Sequence, residues 1–120
     1  MCWQQIGADG QHAELASVHS QHEADMIAQY LAYSPSYTNT WIGLSRASDG
    51  SFSWIDRSAY DFENWYDGEP NSNGSDGEDC VEIYSWSSAQ WNDAHCSNAM
   101  NDYICMTNKR MLFLPQGVPK

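Results

Sequence analysis

Positive charge is what this chain has least of. Five Lys and Arg stand against 16 Asp and Glu, a formal net charge of -11 over 120 residues. None of the five lies between Arg57 and Lys109, an interval that holds ten Asp and Glu. Such a surface repels nucleic-acid phosphates and anionic lipid, so neither is an expected partner. Long apolar runs are also missing. Nothing approaches the roughly 18 residues that cross a bilayer, so no membrane insertion is expected. No C-x-x-C pair is present, which argues against a zinc ribbon or a thioredoxin-type site. No D-x-[DN]-x-[DN]-G run is present, which excludes an EF-hand. There is no nucleophile elbow and no internal repeat. Met1 is followed at once by Cys2, with no signal-peptide pattern before it.

What is there points to one small domain with a modest core. Six Trp, seven Tyr and three Phe supply much of its bulky apolar area. Four cysteines, Cys2, Cys80, Cys96 and Cys105, permit three pairings. An even count in a short, Trp-rich acidic chain reads as two disulfides, hence an oxidising, extracellular setting and a secreted protein.

Ser20 followed by Glu23 forms a capping box. Behind it Ala24, Ile27, Ala28 and Leu31 fall on one face at helical spacing, which predicts a helix over 21–32 that Ser34-Pro35-Ser36 closes. The stretch from Cys2 to Gly10 reads as the end of another helix. Trp41-Ile42-Gly43-Leu44 and Phe52-Ser53-Trp54-Ile55 read as strands joined at Asp49-Gly50, a hairpin. Strands are also expected at Cys80–Tyr84, from Gln90-Trp91 and at Tyr103–Met106. The mix is α+β. Between Asp56 and Asp79 no periodicity is sustained. A loop of that length is functional or disordered. Its aromatics, Tyr60, Phe62, Trp65 and Tyr66, argue against disorder because they need burial.

That segment and its surroundings hold the chemistry. Glu69-Pro70-Asn71, Glu78-Asp79-Cys80 and Trp91-Asn92-Asp93 gather carboxylates and carboxamides, the oxygens that hard cations prefer. Calcium takes six to eight such ligands at roughly 2.3–2.6 Å. Glu69, Asn71, Glu78, Asn92 and Asp93 offer five side chains from two loops. Pro70 would fix the relative direction of its two neighbours, through a cis bond that keeps both on one side.

Taken in order, these residues resemble the C-type lectin-like domain. Leu15-Ala16-Ser17 with Ser20 and Glu23, Trp41-Ile42-Gly43-Leu44, Glu69-Pro70-Asn71, Glu78-Asp79-Cys80, Trp91-Asn92-Asp93, Cys96 and Tyr103-Ile104-Cys105 match its motifs. The resemblance covers residues 1–106 and leaves 107–120 as a tail without a counterpart. It implies two helices, small antiparallel sheets, a long calcium-binding loop, and the disulfides Cys2–Cys105 and Cys80–Cys96. The Glu-Pro-Asn order resembles the mannose-type carbohydrate-recognition domains. The resemblance implies that one calcium, held by Glu69, Asn71, Glu78, Asn92 and Asp93, takes two vicinal equatorial hydroxyls of mannose, fucose or N-acetylglucosamine. The carboxylates would accept from those hydroxyls and the carboxamides donate to them. Several copies would be needed for avidity, hence a homo-oligomer. The family's N-terminal hairpin is missing, so the strand at Tyr103–Met106 is expected to lack a neighbour. A second calcium is not expected, because Ser45 and Ser72 fall where acids are needed.

Other combinations carry less. His19-x-x-His22 could hold zinc but has no third ligand. Ser17 and His19 with nearby acids could be drawn as a triad, without an oxyanion hole, so an enzyme is not expected. Tyr84 and Trp86 read either as core or as a sugar-contacting rim. Asn73-Gly74-Ser75 is a glycosylation sequon expected to stay unused. The alternative to sugar binding is a lectin-like domain that recognises protein or a surface such as ice.

Overall fold

The computed structural model describes residues 2, 12–33, 38–72, 77–98, 100–107 and 110–114. Its elements run β1 (Glu14–Leu15), α1 (Gln21–Ala32), β2 (Thr40–Arg46), β3 (Phe52–Trp54), β4 (Cys80–Ile83), β5 (Trp91–Ala94), β6 (Asp102–Thr107) and β7 (Arg110–Leu114). The sequon and the stretch 3–10 lie outside the described residues. Among the described residues there is one α-helix, against the two that the resemblance implies.

Helix α1 begins where the capping box places it. The Ser20 hydroxyl accepts the Glu23 N–H at 3.1 Å. The Glu23 carboxylate reaches one residue further back than expected and accepts the His19 N–H at 2.6 Å. Ala24 and Ile27 are buried on the inner face, with Ala28 and Leu31 packed beside them. Replacing a side chain as enclosed as Ile27 by Ala costs about 2–5 kcal/mol.

The strands form one connected sheet in the order β1-β6-β2-β4-β5, with β3 on β2 and β7 on β6. The resemblance implies antiparallel sheets. The sheet is instead mixed, because β2 and β6 run parallel where Thr40 faces Asp102 and Trp41 faces Tyr103. The β2–β3 hairpin turns at Gly50, whose φ of +91 suits glycine. Tyr103–Met106 does not lack a neighbour. Arg110–Leu114 lies antiparallel along β6, from Thr107 opposite Arg110 to Tyr103 opposite Leu114. The tail's Met-Leu-Phe-Leu run does not alternate and is followed by prolines, so no strand was expected there.

Trp91, fully buried, is the hub of the core. Trp54, Trp65 and Phe62 stand edge-on to it, with centroids 5.6, 5.5 and 6.1 Å away. Ile27, Ile42, Leu44, Val81, Ile83 and Ile104 complete this cluster. A second cluster holds Cys2, Ala13, Tyr103 and Cys105, with Trp41 and Leu112 against it. Both implied disulfides are formed, Cys2–Cys105 and Cys80–Cys96. The first closes a separation of 103 residues, for which chain entropy gives about 4–5 kcal/mol.

Candidate functional site

The irregular segment after β3 is ordered by its aromatics. Phe62 and Trp65 dock on Trp91, and Trp65 also meets Phe52 at 5.0 Å. The backbone then pairs with the start of β5. The Trp91 N–H donates to the Asn64 carbonyl at 2.9 Å, and the Tyr66 N–H donates to the Trp91 carbonyl at 2.9 Å. A turn follows in which the Glu69 N–H donates to the Tyr66 carbonyl at 2.8 Å, with Gly68 at a φ of +87. The Glu69-Pro70 bond is cis. Because the loop is fastened to Trp91, Glu69 and Asn71 come to lie over Asn92 and Asp93, the next residues of β5.

Asp93 is the anchor, 1% exposed. Its Oδ1 accepts the Asn71 N–H at 3.2 Å, and its Oδ2 accepts the Ser72 N–H at 3.0 Å. Arg46, on β2, donates from Nη2 to Asp93 Oδ2 at 2.7 Å, while its Nε lies 3.7 Å from Asp79 Oδ1. The guanidinium also covers the Phe52 ring at 4.6 Å. A fixed cation therefore stands between Asp79 and Asp93. Asp49 accepts from the Ser51 N–H and hydroxyl in its own turn.

Glu69 meets the Asp93 carboxyl, and its Oε1 is buried without a hydrogen-bond partner among the described residues. Burial pushes the Glu69 carboxyl above its ordinary range. Contact with Asp93 and its charge add to this, the Asn71 N–H opposes it, and the Glu78 charge adds a smaller push. Glu78 lies just before β4, with His95 Nε2 at 3.9 Å from its Oε2. Asn92 is turned to β4, where its Nδ2 donates to Glu82 Oε2 at 2.7 Å. Buried Glu82 also accepts from Asn101 Nδ2 at 2.8 Å through Oε1. With its nitrogen so engaged, Asn92 presents its carbonyl oxygen elsewhere. The Tyr84 phenol lies near the Glu69 carboxylate. Burial and then the Glu69 charge push that phenol up to about 12.

The structure thus brings Glu69, Asn71 and Asp93 into contact and sets Glu78 within range of their charge. Among the described residues, no three His, Cys, Asp or Glu are gathered tightly enough to hold a metal on their own. The oxygens on the page still suit a hard cation. Glu69 and Asp93 lie close together, a buried Glu69 oxygen has no hydrogen-bond partner among the described residues, and burial, with the nearby Asp93, pushes the Glu69 carboxyl up. Arg46 and Glu82 were missed in the sequence, and Tyr84 was read there as core or rim without its link to Glu69. Only the in-register pairing of Glu82 with Asn92, two strands that alternate, offered a signal.

The triad drawn from Ser17 and His19 is present as geometry. His19 Nδ1 lies 2.7 Å from Asp61 Oδ1, and Nε2 lies 3.0 Å from Ser17 Oγ. Its chemistry is that of a structural latch. Ser17 is buried, and its one hydroxyl proton goes to Asp56 Oδ2 at 2.6 Å. Ser17 can then only accept from His19, so it is no nucleophile. His22 is exposed on α1, and among the described residues no group of three His, Cys, Asp or Glu supplies the further ligand a zinc ion needs.

Residues 7–107 match the model of the family described as Lectin C-type domain, and the chain belongs to that family. It is 39% identical to the human low affinity immunoglobulin epsilon Fc receptor over 98 residues, 81% of this chain and 28% of the receptor. The chain therefore spans little more than a quarter of that relative. In structure it is similar to the cow C-type carbohydrate-recognition domain of CD23, solved in the presence of a GlcNAc2Man3 oligosaccharide. The TM-score is 0.65 at 33% identity, over 78% of this chain and 67% of that one. It is also similar to a calcium-independent type II antifreeze protein, with a TM-score of 0.58 at 27% identity, over 70% and 60%. Among the described residues no helix is long and apolar enough to cross a membrane.

Proposed function

We propose that this domain binds mannose-type sugars through calcium. The observation that carries the reading is Glu69, a carboxylate with a buried, unpartnered oxygen pressed against Asp93 and near Glu78. Glu69, Asn71, Glu78, Asn92 and Asp93 would hold the ion. When bound, calcium supplies open coordination for two neighbouring sugar hydroxyls. Glu69 and Glu78 would accept hydrogen bonds from those hydroxyls and the Asn71 amide would donate one, while Asn92, whose nitrogen donates to Glu82, would offer its carbonyl oxygen to the ion. Asp93, held by two backbone amides and Arg46, keeps the Glu-Pro-Asn loop in register with β5. The cow CD23 domain, solved with an oligosaccharide of N-acetylglucosamine and mannose, supports the sugar class. We place the domain outside the cell, where its disulfides form, and read it as binding without catalysis, in several copies for avidity.

Exchanging donors and acceptors tests these roles. Glu69→Gln with Asn71→Asp should shift preference from mannose toward galactose on a glycan array. Unchanged selectivity contradicts the assignment. The second reading is a protein or ice ligand without calcium. The likeness to a calcium-independent antifreeze protein favours it. Retention of ligand in excess chelator would decide for it.

A further inference from the structure

We propose that Tyr66, Tyr84 and Trp86 form a second sugar subsite, an aromatic platform for the ring next to the sugar held at Glu69. The proposal rests on the sugar-binding reading and extends it from a single sugar to a neutral oligosaccharide.

The three rings make one surface. Trp86 stacks on Tyr84 with centroids 4.7 Å apart and planes 19° from parallel. Tyr66 stands edge-on to both, at 5.3 Å from Tyr84 and 4.9 Å from Trp86. Filling of the core does not account for this group, since Trp86 is 64% exposed. An exposed indole in a packed stack presents a flat apolar face to water at the cost of that hydration.

The platform is fastened to the proposed sugar site through the chain, where the Tyr66 carbonyl accepts the Glu69 N–H at 2.8 Å, and the Tyr84 phenol lies near the Glu69 carboxylate. The loop that carries Tyr84 and Trp86 is held in turn. The Tyr84 N–H donates to the Gln90 carbonyl at 3.0 Å, and the Ser85 N–H donates to Asn39 Oδ1 at 3.0 Å. Platform and Glu69 are therefore one built surface. A ring bonded to a sugar at Glu69 falls beside it.

The chemistry selects the occupant. A pyranose has a face of C–H groups that stacks on an aromatic ring, while its hydroxyls stay at the edges in water. The chain around this place is strongly acidic, with ten Asp and Glu and no Lys or Arg between Arg57 and Lys109. A phosphorylated or sialylated ring is repelled there, and a neutral one is accepted.

The test uses the full, oxidised chain with calcium, titrated calorimetrically with methyl α-mannoside and with a neutral mannose trisaccharide. The wild type should bind the trisaccharide more tightly. Trp86→Ala should lower trisaccharide affinity about three- to tenfold, the worth of one aromatic contact. Its affinity for methyl α-mannoside should stay within about twofold, since stacking energy is lost only where a second ring stacks. Trp86→Phe should keep most of the trisaccharide gain. Equal affinity of the wild type for both sugars overturns the platform and leaves the calcium site standing. So does a trisaccharide affinity untouched by Trp86→Ala. A dimer in sedimentation that Trp86→Ala dissociates gives the patch to a second copy, and also overturns the subsite. Absence of binding to either sugar removes the calcium reading itself, and the subsite with it.

Discussion

Glu69 is placed under opposite demands by folding and by binding. Folding buries one of its oxygens without a partner and sets its charge against Asp93 and Glu78. An acid whose folded pKa is raised opposes folding while it is ionised, and that cost is relieved as pH falls through the raised value. Metal-free protein should therefore gain stability from this residue on mild acidification. Glu69→Gln should raise the metal-free melting temperature at neutral pH while removing sugar binding. A lower melting temperature in the variant, measured by circular dichroism, would contradict the electrostatic account. At this scale much of the site was legible, because Glu69, Asn71 and Asp93 stand in compact motifs of hard oxygen ligands. Arg46 and Glu82 were not legible, and Tyr84 was legible only as core or rim. Their partners lie across strands or loops, 47 residues apart for Arg46 and Asp93, and no local spacing encodes such a contact.

Elements were legible where their signals are local. The capping box and the 3.6-residue period place α1 at Gln21–Ala32, the range the structure has. The Asp49-Gly50 turn places the hairpin of β2 and β3. Pairings between distant segments were not readable: neither the parallel contact of β2 with β6 nor the shift in register of β2 on β4 between Ile42 and Ser45. Gly43 sits at that shift. A Cβ there would lie 2.6 Å from the Leu15 carbonyl oxygen and 2.7 Å from Ile55 Cγ2. The Gly43 N–H already donates to the Ala16 carbonyl at 2.8 Å, and its carbonyl accepts from Ile55 at 2.8 Å, so the backbone has little freedom to withdraw. Gly43→Ala should cost about 1–3 kcal/mol by overpacking. Urea denaturation checks it, and an unchanged midpoint would show that the strands yield.

The first and last described segments both close on β6. Cys2 is tied to Cys105 on β6, and β7 lies along the same strand. Composition and the motif order were enough to show a disulfide-bonded α+β domain. The tail's part in it escaped because residues 110–114 form a strand only through a partner already in place. Truncation after Thr107 strips β6 of one ladder of backbone hydrogen bonds and removes Leu112 from its place against the second core cluster. The truncated chain should melt lower and self-associate, as scanning calorimetry and light scattering would show; unchanged melting would make β7 dispensable. This frame bears on function because it holds β5, and with it Asp93, under the Glu-Pro-Asn loop. The most direct test of the central claim is calorimetric titration of the oxidised domain with methyl α-mannoside, with calcium and then with excess chelator. Binding with calcium and none with chelator is the predicted result; equal binding in both would contradict it.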